Sequence, residues 1–302
     1  MSREPEKYPF EALEPIPFSH GCTGLLLTVV FFTVINRIVT SIGPPKSVDT
    51  DTWRWNNLFI SWIHAFITGS WDLLCFILYP VMLGDLIAFQ NYFIYGMVVF
   101  STGYFFYDFL DIVVKKKVLS QWEVVLHHIA VAGMFFYNVY LCRCIPYNAV
   151  ALLAEVNSFF LHSRKLMQMS KVSYDHVVYR INVWVNLVTF VFCRFGGLAW
   201  IYYGMAMWPH RVTTFYYVVL TSSMTVMLFI NIILFHRLIK NDVLRPRSKA
   251  KSKVTAPTTN GPAHGLKENG SVVKNGTVPH SSNNNCKENG VITNGVHSKK
   301  VL

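Results

Sequence analysis

YFIYGMVVFSTGYFFYDFLDIVV, residues 92–114, decides the fold, with Asp108 and Asp111 as its only charged residues. About 20 apolar residues in helical form cross the hydrocarbon core of a bilayer, so this stretch reads as a membrane span. Six more stretches share its character: Gly21–Ile42, Asn57–Leu78, Trp122–Cys142, Pro146–Met167, Val177–Tyr203 and Val212–Phe235. Between them lie helix-breaking connections, Gly43-Pro44-Pro45, Tyr79-Pro80, Pro146 and Trp208-Pro209. The composition agrees. Of 302 residues 52% are hydrophobic and only 14% charged, where a soluble domain carries about 25% charged residues. An ordinary soluble enzyme and a disordered chain are both excluded.

The formal charge of +11 suggests nucleic acid until its location is read. From Arg245 onward ten Lys or Arg stand against Glu268 and Glu288, so most of the excess lies in a polar tail. A basic tail behind a membrane body reads as a solvated extension, and no nucleic-acid partner is expected. The expected organisation is an N-terminal segment 1–20, a first membrane helix 21–42, a membrane domain 50–240 and a disordered basic tail 241–302. The first helix reads as an uncleaved signal anchor, because its leader is net acidic and no small-x-small cleavage site follows.

Loops at one end of the seven spans carry Arg37, Lys46, Arg54, Lys115, Lys116, Lys117, Arg164, Lys165, Lys171 and Arg180, and those at the other end only Arg3, Lys7, Arg143 and Arg211. The positive-inside bias puts the first set and the tail in the cytosol. The sequons at Asn269 and Asn275 are then expected to stay unmodified. Asp85 falls in an external loop, where water is expected to solvate it. Six scattered cysteines, Cys22, Cys75, Cys142, Cys144, Cys193 and Cys286, form no metal-binding spacing and read mostly as small core residues. Cys142 and Cys144 sit together at one helix end, where a lumenal setting would allow oxidation.

Ionisable groups in hydrocarbon cost about 3 kcal/mol each on insertion scales and normally face a bundle interior. Here they are His64, Asp72, Asp108, Asp111, His127, His128, Glu155, His162 and Arg194. At a rise of about 1.5 Å per residue, His64, Asp108, His127 and His128 fall roughly 8–10 Å from the basic end, and His162 and Asn182 approach the same layer. Each helix presents one polar stripe: His64/Asp72, Tyr104/Asp108/Asp111, Glu155/His162 and Asn182/Asn186/Arg194. Asn182, Asn186 and Asp72 read as interhelical hydrogen-bonding groups worth about 0.6 kcal/mol each. The His127–His128 pair near Asp108 reads as chemistry, since neutral imidazole serves as base or nucleophile when a carboxylate orients it. No spacing such as HExxH supports a metal, and none is expected.

These motifs in combination resemble the TRAM–LAG–CLN (TLC) domain family. The resemblance rests on Thr52-Trp-Arg-Trp-Asn-Asn-Leu with His64 beyond it, Ser101-Thr-Gly-Tyr-Phe-Phe-Tyr-Asp-Phe-Leu-Asp, Trp122-Glu through His127-His128, Leu152-Leu-Ala-Glu-Val-Asn-Ser and Tyr179-Arg-Ile-Asn. Within the family the chain is most similar to the branch of TLC domain-containing proteins one and two, and Asn241-Asp-Val-Leu resembles the second more than the first. The resemblance implies an all-α polytopic membrane bundle, a six-helix barrel preceded by one extra helix.

In the family's ceramide synthases the paired histidines are essential to acyl transfer, and His127 and His128 match them. Those enzymes also carry a His-Asp-x-x-Asp cluster where this chain has Ala154-Glu155-Val156-Asn157-Ser158, and a homeobox-like insert that is missing here. Sphingoid-base acylation is therefore not expected.

For the nearer branch the resemblance implies a regulator of phospholipid acyl composition and membrane fluidity, limiting polyunsaturated species. Two alternatives stay open: an acyltransferase using acyl-CoA as co-substrate, and a non-catalytic lipid-binding or channel-modulating protein. On the enzyme reading His127 or His128 is base or transient acyl acceptor, Asp108 or Asp111 orients the imidazole, and His64, Glu155, His162 and Arg194 line the lipid cavity. The expected partners are membrane phospholipids or fatty acyl chains, with no resident cofactor; protein partners stay open. The resemblance implies the plasma membrane, whereas Lys299-Lys300 near the terminus resembles an endoplasmic-reticulum retrieval signal.

Overall fold

The apolar stretches become helical rods in the computed structural model, which describes residues 16–48 and 51–244. The expected tail from 245 onward, with both sequons, Cys286 and Lys299–Lys300, lies outside the described residues, as do 1–15. The helices are α1 (Phe18–Ile42), α2 (Thr52–Leu78), α3 (Tyr92–Val114), α4 (Trp122–Leu141), α5 (Ile145–Met169), α6 (Val177–Thr189), α7 (Gly197–Met207) and α8 (Thr214–Leu238). A π-helical turn, Phe190–Gly196, joins α6 to α7, making one rod of 31 residues from Val177 to Met207. The seven rods fall on the seven apolar stretches of the sequence. A second π turn, Ile239–Val243, ends α8 and takes in residues 241–243, which the sequence assigns to the tail.

Local chemistry sets the helix ends. Asp51 caps α2 by accepting from the Trp53 backbone N–H at 3.0 Å, and Lys117 Nζ holds it at 2.7 Å. That lysine bond keeps the Asp51 carboxyl below its ordinary 3.8. Asn91 caps α3 through two backbone N–H groups. Gly43, at φ 74°, ends α1 in a conformation that disfavours residues with a Cβ.

Six of the seven rods are long and apolar enough to cross a membrane. The seventh, α5, is 25 residues long but carries Glu155, Asn157, His162, Arg164 and Lys165. It is shielded by α2, α3, α6 and α7. Neighbour contacts run α2–α3–α4–α8, across to the α6–α7 rod, then through α5 back to α2, a ring of six. The first rod, α1, lies outside it against α3, α2 and α4. Phe32 of α1 is fully buried, its ring 4.8 Å from Tyr104 and 6.0 Å from His64.

Two expectations need correction. Asp85 is not solvated: it is 3% exposed. Arg211 donates to both of its oxygens at 3.0 Å, and it accepts from the Ile87 and Ala88 backbone. Burial raises its carboxyl, and these donors outweigh burial to leave it below 3.8. Asp72 is not interhelical glue: it is fully buried, and neither carboxyl oxygen has a hydrogen-bond partner among the described residues. Cys142 and Cys144 are unbridged thiols; Cys142 Sγ donates to Gln90 Oε1 at 2.6 Å. Asn182 and Asn186 do join helices, through Phe160 O and through Asn157.

The α2–α5 seam is tight at Gly69, where an added Cβ would sit 3.1 Å from the Val156 backbone N. Backbone cannot yield as a flexible side chain does, so Gly69→Ala is expected to destabilise by about 1–3 kcal/mol. Gly133 faces open space, and Gly133→Ala is expected to leave stability unchanged or slightly raised. Thermal unfolding of the two variants in one detergent checks this; equal melting would refute the close seam.

Candidate functional site

The interior of the ring holds a cavity of about 630 Å³, within the range of small-molecule sites. Helical periodicity fills it with polar side chains. From α2 come Asn57, Ser61 and His64; from α3, Tyr104 and Asp108; from α4, His127 and His128; from α5, Glu155, Ser158 and His162. These sets repeat at three, four or seven residues, except the adjacent histidines, so each helix turns one stripe inward. Its mouth carries Arg54, Glu123, Lys165 and Arg237 at the basic end, and α8 supplies an apolar wall including Ile230 and Ile233.

Carboxyl and imidazole groups meet inside in two pairs. His128 Nδ1 lies 3.3 Å from Asp108 Oδ2. The distance is that of an ion pair, but the groups are not aligned as a hydrogen bond. Catalytic hydrogen bonds are often long before substrate binds. Asn57 Nδ2 donates to the other oxygen, Oδ1, at 2.5 Å, which fixes the carboxyl facing the imidazole. In the second pair His64 Nδ1 stands 3.7 Å from Glu155 Oε2, and the His64 ring stacks on Tyr104 with centroids 3.7 Å apart. Tyr104 is in turn held through its hydroxyl, which donates to Ser61 Oγ at 2.9 Å.

Arg194 reaches the cavity from the π turn, where the extra residue per turn re-aims side chains. Its Nε donates to Asn157 Oδ1 at 2.6 Å, Nη1 to Asn231 Oδ1 at 2.9 Å and Nη2 to Ser158 Oγ at 2.8 Å. All three partners are neutral, so the guanidinium keeps its charge for the cavity.

Seven of the eight candidates, His64, Asp108, His127, His128, Glu155, His162 and Arg194, line this one cavity. Asp111 does not; its Oδ2 accepts from Trp53 Nε1 at 2.8 Å and faces no imidazole. Sequence reasoning missed Asn57 as the group that holds Asp108, Asn231 as a ligand of Arg194, and Met227, whose Sδ lies 3.1 Å from His127 Nδ1. Asn57 lies seven residues before His64 on the same stripe, a signal that could have found it. Asn231, alone and polar in an otherwise apolar stretch of α8, gave a weaker one, and Met227 gave none. Among the described residues no group of three His, Cys, Asp or Glu side chains converges to hold a metal ion.

The TLC domain model (TRAM, LAG1, CLN8) matches residues 54–240, the ring that encloses this cavity. The chain belongs to the TLC domain family. It is 36% identical over 218 residues to TLC domain-containing protein 2 of Danio rerio, covering 72% of this chain and 88% of that protein. It is 32% identical over 247 residues to TLC domain-containing protein 1 of Mus musculus, 79% of this chain and 98% of that one. TLC domain-containing protein 2 of Homo sapiens is 28% identical over 228 residues, 74% and 86% of the two chains. No solved structure shows a significant match. The TLC domain thus accounts for α2 to α8, and α1 precedes it.

Removing the Asp108 carboxyl leaves the Asn57 amide without its acceptor in a buried setting, which costs about 1–3 kcal/mol. Asp108→Leu is expected to lower thermal stability by that amount, and Asp108→Asn by less, because an amide oxygen still accepts. Asp111→Asn, which retains an acceptor for Trp53 at the rim, is expected to stay near wild type. Melting curves of the three variants at matched lipid content test the ranking; an Asp108→Leu protein as stable as Asp111→Asn would contradict it.

Proposed function

We propose that this TLC-domain membrane protein takes lipid acyl chains into its central cavity and thereby controls phospholipid acyl composition, limiting polyunsaturated species and keeping the bilayer stiffer. One observation carries this reading: a cavity of about 630 Å³ with an apolar α8 wall, a basic mouth and an interior histidine pair. An amphiphile satisfies all three surfaces, its chain on the wall and its polar end toward the cations and imidazoles. The positive-inside bias makes the mouth cytosolic. Likeness to TLC domain-containing proteins one and two supports the same reading without naming a lipid.

A second reading is favoured by the 3.3 Å approach of Asp108 to His128. A carboxylate beside an imidazole orients it to take a proton from a hydroxyl or to attack a thioester, so the same cavity suits an acyltransferase drawing on acyl-CoA. His128 would be the base or acyl acceptor, with Asp108 orienting it. Lipidomics of cells lacking the protein tests both. Polyunsaturated phospholipids are expected to rise on loss, to fall on rescue with wild type, and to remain high with a His127→Ala/His128→Ala variant at equal abundance. Full rescue by that variant would reject a role for the pair. Transfer of a labelled acyl group from acyl-CoA to a lysophospholipid by the purified protein would select the enzyme.

We place the protein in the plasma membrane, where an effect on fluidity is direct, with the endoplasmic reticulum as the alternative because of Lys299–Lys300. Surface biotinylation decides between them. Wild type is expected at the surface, and surface signal that emerges only after Lys299→Ser and Lys300→Ser would reverse the placement.

A further inference from the structure

A second, smaller cavity of about 60 Å³ lies deeper in the ring; its wall is mostly apolar, with Met134, Phe135, Leu198, Ile201 and Leu220, and carries polar groups at Asn148, Ser223 and Asn231. Five residues line both cavities: Phe105, His127, Glu155, Arg194 and Met227. Among them Met227 stands out. It is 8% exposed, and its Sδ is wedged 3.1 Å from His127 Nδ1, beside a candidate reactive atom of the site. Along α8 the small cavity runs from Leu220 past Met227 to Asn231, and along α4 from His127 to Phe135. Eight to eleven residues at 1.5 Å each make its reach about 12–16 Å.

The volume and the reach do not match. A space that long and that small is a shut passage rather than a filled core, since protein interiors leave few voids larger than a water molecule. Its apolar end, at Phe135, Leu198, Ile201 and Leu220, offers water no partners and suits an apolar group. The side chain at the boundary is the kind that moves. Methionine is unbranched, has three rotatable side-chain bonds and adapts to irregular space, and Met224 and Met134 beside it share that softness.

We propose that Met227, wedged against His127, is a movable partition between the two cavities and sets how much of a lipid acyl chain the site accepts. In the shut position a chain ends within the large cavity. When Met227 swings away, the methyl end of a longer chain enters the small one, and its polar end stays near the cations of the mouth, Arg54 and Lys165. This rests on the reading that the large cavity takes acyl lipids. Met227 is a specificity-determining residue, not a catalytic one.

Photolabelling of the full-length protein in phosphatidylcholine vesicles tests it. The probes are analogues of palmitate and octanoate, each with a diazirine at the methyl end, and mass spectrometry maps the labelled residues. For wild type, palmitate is expected to label small-cavity residues such as Ile201 and Leu220, and octanoate large-cavity residues such as Leu161 and Ile230. In Met227→Trp the small-cavity label should be lost while large-cavity label persists. In Met227→Ala it should increase, and Met227→Leu, which conserves volume, should resemble wild type and report on folding. Small-cavity labelling that Met227→Trp leaves undiminished overturns the partition, as does palmitate label confined to the large cavity in wild type and every variant; in both cases the acyl-binding reading stands. Absence of label from both cavities in wild type overturns that reading and the partition with it.

Discussion

The structure depends on one helix that hydrocarbon will not accept. Exposed to lipid, α5 would present Glu155, Asn157, His162, Arg164 and Lys165 at several kcal/mol of combined insertion cost. Enclosed, each of these groups finds another polar group or a wet cavity. Arg164 pairs with Asp242 just beyond α8, and Asn157 bridges to Asn186 and to Arg194. A close backbone approach of one neighbour, Gly69 of α2 against Val156, lies beside Glu155 and brings His64 into range of it. Enclosure of one polar helix thus explains both the closed ring and the cavity at its centre.

The polar interior is built in tiers. Asn57 fixes Asp108, which faces His128; Ser61 fixes Tyr104, on which His64 stacks. Asn157, Ser158 and Asn231 fix Arg194. In each case a small neutral side chain uses its hydrogen bonds to hold a larger group, leaving part of that group turned to the cavity. Fully satisfied interhelical networks would stabilise the bundle as well and leave nothing to bind with. His64 Nε2 and His128 Nδ1 have no hydrogen-bond partner among the described residues.

The sequence made the spans and the inward stripes legible because both are local properties, set by hydropathy and by a period of 3.6 residues. It also made the shared depth of His64, Asp108, His127, His128 and His162 legible, because rise per residue converts numbering into height. It did not reveal partners brought together by helix packing. Arg211 meets Asp85 across 126 residues of chain, and nothing near Asp85 distinguishes it from a solvated loop residue. Asp111 repeats three residues after Asp108 and reads as its equal, yet it lies closer to the helix end, where Trp53 takes it up. Asp72 shares a stripe with His64 but sits eight residues further along, past the cavity. Periodicity gives a side chain's direction; it does not say what it meets there.

Adjacent histidines on one helix make the same point at the site itself. Successive residues of an α-helix point about 100° apart, so His127 and His128 cannot both face one carboxyl. Their rings lie 5.4 Å apart, tilted by 50°. His128 is buried and turned to Asp108, whereas His127 is half-buried and turned to Met227 at the head of the apolar passage. The pair is therefore a division of labour rather than a duplication. One imidazole faces a carboxyl, and the other faces a thioether where the two cavities share a wall. A single histidine would have to choose between those directions, and a His-x-x-x-His spacing would align both rings on one face and lose the second. The dipeptide is the arrangement that serves two walls of the cavity from one turn of helix.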